Sequence, residues 1–268
     1  MNDSKVAIVS GASSGVGEAL APLLAVHGYT VYGLSRRSVK LPGVIALPAD
    51  ITDVTALENA VQTVIAAEGR LDAVLHCAGI GGAGPVEQMP AVEARKIVET
   101  NYWGSWNLAR ACLPHLRARG AAGHLFFVSS IAGLMGIPYR SAYCASKAAV
   151  IALTEALRLE VSGTPLRVSC ICPGDIATNS IATQYRMPYT DVDPLYRPTY
   201  QKADEGMAAN VNHGMTAAHV AESIRRIMQK DRPKPVYVVG EPVQRASTWA
   251  KRLLPGWVFE RVLMKYYG

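Results

Sequence analysis

Charge is scarce in this chain of 268 residues: Asp, Glu, Lys and Arg together make up 18%, below the roughly 25% usual in globular proteins. Beside a hydrophobic content of 50%, that scarcity excludes a disordered chain, which would be rich in charge and poor in apolar groups. The 23 glycines and 16 prolines are too few for a low-complexity protein. The five cysteines, Cys77, Cys112, Cys144, Cys170 and Cys172, are odd in number and lack metal-ligand spacing. Buried, reduced thiols are expected, with no metal site. No uninterrupted apolar run is long enough to span a bilayer. The chain enters its first apolar run at Val6 without the basic region and long apolar stretch of a signal peptide, so a cytoplasmic location is expected. The net charge is +6, but the cations are spread from Lys5 to Lys265, with modest groups only at Arg36/Arg37 and Arg225/Arg226. Nucleic-acid binding needs clustered charge, so a nucleic-acid partner is not expected; a preference for phosphate-bearing ligands asks for less.

What is present is an alternation. Short β-branched runs at 6–10, 30–34, 44–47, 72–76, 124–130, 166–172 and 235–239 read as strands. Helical patterns fall at 18–27, 54–67, 92–98, 103–119, 141–161 and 216–229. The strands are almost continuously apolar, as expected when both faces of a sheet are covered. The pattern predicts one α/β domain over residues 1–268: a doubly wound parallel sheet of about seven strands with helices on both faces, a Rossmann fold. Residues 179–215, rich in Pro, Tyr and Met, read as an irregular lid inserted after a strand's carboxyl end. Residues 246–268 form a basic, aromatic C-terminal extension. Cys170 and Cys172, two apart in a strand, are expected on the same face.

The first turn reads Ser10-Gly11-Ala12-Ser13-Ser14-Gly15-Val16-Gly17, after a strand and at the opening of a helix. Glycines there allow a tight turn and close approach of a pyrophosphate, which meets free N–H groups and the positive end of the helix dipole. The spacing is Gly-x-x-x-Gly-x-Gly. Further along come Asp50-Ile51, His76-Cys77-Ala78-Gly79, Asn101, Ser130, Tyr143-Cys144-Ala145-Ser146-Lys147 and Pro173-Gly174. In this order the motifs resemble the short-chain dehydrogenases/reductases, over essentially the whole chain to about Gly240.

In dinucleotide folds an acidic residue at the end of the second strand binds the ribose 2′-OH of NAD, whereas Arg accommodates the 2′-phosphate of NADP. Here Ser35, Arg36 and Arg37 stand at that place, so NADP(H) is expected, with Ser35 donating to the phosphate and Arg36 ahead of Arg37 in pairing with it. The alternative is a pair of solvated loop charges. Asp50 resembles the family residue that accepts from the adenine amino group, with Ile51 beside the ring. Asp53 can cap the following helix in its place. The resemblance also implies nucleotide contacts from Gly11, Ser13, Ser14, Gly15, Val16, Gly17, Ala78, Gly79, Pro173, Gly174, Ile176 and Thr178. His76 departs from the family's usual Asn; support of the central strand is its expected role, and a second acid/base is the alternative.

Tyr143 and Lys147 are four apart in a helical run and share a face. An ammonium beside a phenol, together with an oxidised nicotinamide, favours the phenolate and makes the hydroxyl a usable proton donor or acceptor near neutral pH. By the resemblance, Lys147 also holds the nicotinamide ribose, and Asn101 polarises a water that relays protons to Lys147, or else orders a helix kink. Ser130 ends the fifth strand, where open α/β sheets bind ligands, and its offset from Tyr143 matches the family; neighbouring Ser129 points to the other side. Catalytic roles are therefore expected for Asn101, Ser130, Tyr143 and Lys147. The alternative for Tyr143 and Lys147 is a surface pair.

The expected reaction is reversible hydride transfer between NADP(H) and a ketone or aldehyde. Ser130, Ile131, Leu134, Met135 and Tyr143 are expected to line the substrate pocket, with walls from 81–86 and from Tyr185, Met187, Tyr189, Tyr196, Tyr200 and Met207. These residues favour an apolar substrate. The stretch 133–138 leading into Tyr143 resembles steroid and retinol dehydrogenases. The tail reads as a helix over the cleft or a subunit contact; a membrane-surface helix is the alternative, weakened by the break at Pro255-Gly256. Family members pair through the helices matching 103–119 and 141–161, so a homodimer or homotetramer is expected. Two rival functions remain: an epimerase or dehydratase of the extended relatives, and a catalytically silent NADP(H) sensor. The sensor would be expected to lose Tyr143 or Lys147, and both are present.

Overall fold

Alternation along each strand sends successive side chains to opposite faces, and the sheet's strands are apolar in both registers. The computed structural model describes residues 4–118, 120, 123–177 and 184–267. Its main sheet has seven parallel strands: β1 (Lys5–Ser10), β2 (Tyr29–Ser35), β3 (Val44–Pro48), β4 (Ala73–His76), β5 (His124–Val128), β6 (Arg167–Pro173) and β7 (Val236–Val239). The spatial order is β3-β2-β1-β4-β5-β6-β7. The helices are α1 (Gly15–Val26), α2 (Val54–Glu68), α3 (Ala91–Val98), α4 (Gly104–Ala118), α5 (Ser141–Glu160), α6 (Arg197–Asn212), α7 (Ala217–Met228), α8 (Pro242–Leu253) and α9 (Gly256–Tyr267).

The two faces carry separate cores. Val6 and Ile8 of β1, Val74 of β4, Phe127 of β5 and Cys170 and Cys172 of β6 pack with side chains of α2, α4 and α5. Ala7, Val9, Leu75, Phe126 and Ile171 pack on the other face with Leu20 and Leu24 of α1 and Val220 and Ile224 of α7. Each such buried aliphatic side chain contributes about 1.5–3 kcal/mol relative to exposure. The cysteines of β6 thus share one face, as their spacing predicts, and all five cysteines are free thiols.

β1 pairs with β2 on one side and β4 on the other. The strand order reverses there, and the diverging connections leave a crevice at the strands' carboxyl ends, where such sheets bind ligands. Ser10, Ser35, His76 and Val128 all end strands at that edge.

One expectation needs correction. Residues 184–215 are not irregular: Tyr185–Arg186 pairs with Gly82–Ala83, and α6 follows. Interrupted apolar spacing hid α6, whose stability comes from contacts distant in sequence, including Phe259 of α9 against Met207 and Val211. The tail is helical, as α8 and α9 separated at Pro255. Phe259 and Tyr267 of α9 pack with Ile137, Met207 and Val211, and Tyr267 lines the crevice. No helix among the described residues is long and apolar enough to cross a membrane.

Asp53 caps α2: its Oδ1 accepts the Ala56 N–H at 3.0 Å. Asp53→Ala is expected to cost about 1 kcal/mol, a fall in melting temperature of about 2–4 °C in a domain of this size. An unchanged melting temperature would show that the cap contributes nothing.

Candidate active site

The loop from β1 into α1 needs its glycines. Gly11 has φ +69°, and a Cβ there would lie 2.7 Å from the Ala78 backbone nitrogen. The turn therefore packs backbone on backbone against the end of β4. Ser14, at the N-cap of α1, makes no capping side-chain bond, and the first N–H groups of α1 open into the crevice. This cradle fits a dinucleotide pyrophosphate. The crevice holds about 1060 Å³, open solvent at its mouth included, and runs from Ser14, Gly15 and Val16 past Gly79 to Tyr143.

Ser35 is buried at the end of β2 and its hydroxyl donates to the Arg37 carbonyl, so it is committed locally rather than free for a phosphate. Arg36 and Arg37 are exposed just beyond it. Asp50 accepts from the Thr52 N–H and hydroxyl at 2.9 and 2.8 Å. The side chain of Ile51 is buried, in the core shared with α2 and α4.

At the other end of the crevice, Ser130 follows β5 and caps the short turn Ile131–Gly133, its Oγ accepting the Ala132 N–H at 3.1 Å. Ser129 is turned under, donating to the Lys147 carbonyl at 2.8 Å. Tyr143 and Lys147 project from the first turns of α5 into the same crevice, with Lys147 Nζ 5.9 Å from the Tyr143 ring centre. Lys147 is buried, and its ammonium donates to the Val128 carbonyl at 2.9 Å.

Asn101 sits in a π-helical turn, Glu99–Trp103, between α3 and α4. Wide turns of this kind are frequent at functional sites. Its amide is fully engaged: Oδ1 accepts the Ile80 N–H at 2.8 Å, and Nδ2 donates to the Ile80 carbonyl and to Ser146 Oγ, each at 2.9 Å. Ser146 Oγ donates in turn to the Tyr143 carbonyl at 2.7 Å. A Cβ on Gly79 would lie 3.1 Å from both Asn101 Oδ1 and Lys147 Nζ, so a glycine is what lets amide and ammonium both approach the β4 loop there.

The structure thus brings Ser14, Gly15, Val16, Gly79, Ser130, Ile131, Tyr143, Lys147, Pro173, Gly174 and Ile176 to one crevice. Thr178 lies outside the described residues, as does the start of the expected lid. Leu134 and Met135 do not line the crevice. The turn at Ile131–Gly133 carries them into the packing beneath, and Ala132 and Ile137 take that place. Tyr189, Tyr196 and Met187 are not walls of the crevice either: they pack around Tyr200, whose hydroxyl is within reach of the Met187 carbonyl at 3.0 Å. Met207 is a wall, as expected. Sequence reading missed Arg140, Gln184 and Tyr267. Arg140 stands three residues before Tyr143 on the same helix face, Gln184 lies in the segment read as a lid, and Tyr267 in the tail read as a helix over the cleft.

His76 is buried, its Nδ1 2.6 Å from Ser10 Oγ, and Ser10 Oγ accepts the Ala78 N–H at 3.3 Å. It ties β4 to β1 below the loop. Burial, with the Lys147 charge beside it, pushes its pKa down to about 3. A ring kept neutral and turned into the core is no second acid/base near neutral pH, which corrects that alternative. No cluster of three metal-ligating side chains occurs among the described residues.

A switch-point crevice with a Gly-lined helix N-terminus at one end and a Ser–Tyr–Lys group at the other defines a nucleotide-dependent oxidoreductase of the α/β class. The family model for short chain dehydrogenases matches residues 5–188, and the chain belongs to that family. It is 31% identical over 265 residues to 3-ketodihydrosphingosine reductase of Bacteroides thetaiotaomicron, covering 98% of each chain. Among solved structures, a short-chain dehydrogenase/reductase of Burkholderia phymatum in complex with NAD superposes with a TM-score of 0.79 at 23% identity, over 94% of each chain. A short chain dehydrogenase of Burkholderia cenocepacia in complex with NADP gives 0.76 at 22%, over 100% of each. A nicotinamide cofactor is common to both neighbours.

Because the His76 pKa falls from its ordinary 6.5 to about 3 on folding, the unfolded chain takes up a proton between those values and the folded chain does not. Stability therefore drops as pH falls through that window. His124, also lowered by burial, to about 4, adds to the loss. The urea midpoint is expected to fall between pH 7 and pH 4, and to fall less steeply in His76→Asn. Equal slopes would show that His76 titrates alike in both states.

Proposed function

We propose that this protein is an NADP(H)-dependent oxidoreductase that interconverts a ketone or aldehyde and an alcohol on an apolar substrate. The observation that carries the reading is the placement of Tyr143 and Lys147, one helical turn apart, in the crevice that begins at the α1 N-terminus and passes Ser130. The nicotinamide, when bound, supplies or accepts the hydride at the carbonyl carbon. In reduction Ser130 donates a hydrogen bond to the carbonyl oxygen as negative charge grows there. Tyr143 gives that oxygen its proton, so carbonyl, hydride and proton together make the alcohol. Lys147 holds the ribose side and favours the phenolate left behind. Asn101 fixes the β4 loop and the first turns of α5 through Ile80 and Ser146.

Ile131, Ile137, Met207 and Val211 along the crevice support an apolar substrate. The Bacteroides relative's name, a reductase of a keto compound, agrees with reduction. For the cofactor, two exposed guanidiniums beyond β2 and the lack of a carboxylate at its end support NADP(H) over NAD(H). The reading includes a homodimer or homotetramer, supported by the exposed Trp103, which ends the π-helical turn, and Trp106 in the first turn of α4, and a cytoplasmic location.

Tyr143→Phe is expected to lower the rate of NADPH-dependent ketone reduction by about 10²–10⁴-fold, the usual contribution of a general acid, while NADPH still quenches protein fluorescence. Turnover surviving in this variant would remove Tyr143 from the chemistry. Absence of turnover in the parent protein, on a broad panel of ketones, aldehydes and alcohols with NADPH bound, would favour a sensor. Arg36→Ala is expected to weaken NADPH far more than NADH, because only the former presents a 2′-phosphate. Equal weakening of the two in direct titrations would overturn the cofactor preference.

A further inference from the structure

Arg140 stands at the N-terminus of α5, three residues before Tyr143, with its guanidinium carbon 5.4 Å from the Tyr143 ring centre. It is half-buried and lines both the crevice and a small adjoining cleft, together with Ile137, Met207 and Tyr267. A guanidinium has five N–H donors and suits planar oxyanions. Here it reaches only neutral partners: Nη2 donates to Gln184 Oε1 at 2.8 Å, and Nη1 faces Met207 Sδ. Its Nε is buried with no partner.

No carboxylate among the described residues pairs with it. Asp204, in the adjoining pocket, is taken by Arg186 at 3.1 Å and the Tyr189 hydroxyl at 3.0 Å. Asp175, elsewhere in the crevice, accepts from Gln244 Nε2 at 2.8 Å; it feels the Arg140 charge across the crevice but is not in ion-pair contact with it. Residues 178–183, just before Gln184, are Thr, Asn, Ser, Ile, Ala and Thr and contain no acid. Among the other partly buried arginines, Arg70, Arg186 and Arg225 each face a carboxylate, and Arg158 and Arg197 donate to backbone carbonyls. A partly desolvated cation beside the reacting position, with no contact ion pair and one idle buried donor, is favoured by an anion brought in with the ligand.

We propose that Arg140 determines substrate specificity by pairing with an oxyanionic group, a carboxylate in the simplest case, carried by an apolar substrate near its reacting carbonyl. The inference rests on the carbonyl-reductase reading and narrows it. The substrate is an apolar keto acid or an equivalent anion, and an ammonium group at the same place is repelled. Gln184 and Met207, now against the guanidinium, give way to the carboxylate or flank it.

The test uses 4-oxo-4-phenylbutanoate and its ethyl ester, which differ at the acid group, with the NADPH-loaded protein. The acid is expected to show a kcat/KM about 10–100-fold above the ester, the range of one or two charge-assisted hydrogen bonds. Arg140→Met should lower the acid about 10–100-fold more than the ester, bringing the two to one level; Arg140→Lys should restore part of the difference. A merely structural arginine would lower both substrates alike, and ester turnover in the Met variant reports that it is folded. Equal use of acid and ester by the parent protein, or equal losses in Arg140→Met, would overturn the assignment. If neither ketone is reduced, calorimetry with the unreactive 4-phenylbutanoate decides. Binding lost in Arg140→Met upholds the anion site although the reductase reading fails, and no binding to the parent protein overturns it.

Discussion

The site depends on one buried ammonium. Lys147 reaches from α5 to the carbonyl of Val128, the last residue of β5, and it does so with no ion pair among the described residues. Burying a lysine charge is costly unless strong acceptors or a bound partner offset it. The arrangement is thus tolerable where a polar ligand completes the coordination. The same contact sets the rotation of α5, and Tyr143, one turn earlier, is carried to the crevice with it. Gly79 leaves room for the ammonium, and Asn101 closes the remaining side through Ile80 and Ser146.

The sheet supplies the rest. Reversal of strand order at β1 opens a crevice that no side chain has to carve, and the Gly11 turn packed on Ala78 gives it a floor. His76 serves this floor from below. Where a polar residue is needed to hold β4 against β1, an imidazole bonded to Ser10 does it, at the cost of a proton that the folded chain cannot accept. Binding and chemistry therefore sit on rigid strand ends and helix starts, while α6 and α9 form a cover with its own small core around Phe259 and Met207.

Much of this was legible in the residues. Short, almost continuously apolar β-branched runs located all seven strands of the main sheet to within a residue or two, and the Tyr143–Lys147 spacing placed both groups on one helical face. What failed to be legible depended on contacts between distant segments. The helix α6 has little helical amphipathic signal of its own and is recognised by what it packs on. Leu134 and Met135 follow Ser130 in sequence, but a single tight turn at Ile131–Gly133 redirects them inward. Ser35 has the right position for a phosphate donor, yet its hydroxyl is used by the Arg37 carbonyl two residues on. Tyr267 lies more than a hundred residues from Tyr143 and reaches the same crevice only because α9 folds back.

The central claim is geometric: Ser130 and Tyr143 flank one oxygen atom, with Lys147 behind the phenol. A crystal structure of the ternary complex with NADP⁺ and an alcohol substrate tests it most directly. The account predicts the alcohol oxygen at hydrogen-bond distance, about 2.7 Å, from both Ser130 Oγ and Tyr143 Oη, with its carbon facing the nicotinamide. An alcohol bound away from both hydroxyls, or a Tyr143 ring turned out of the crevice with nucleotide in place, would contradict it.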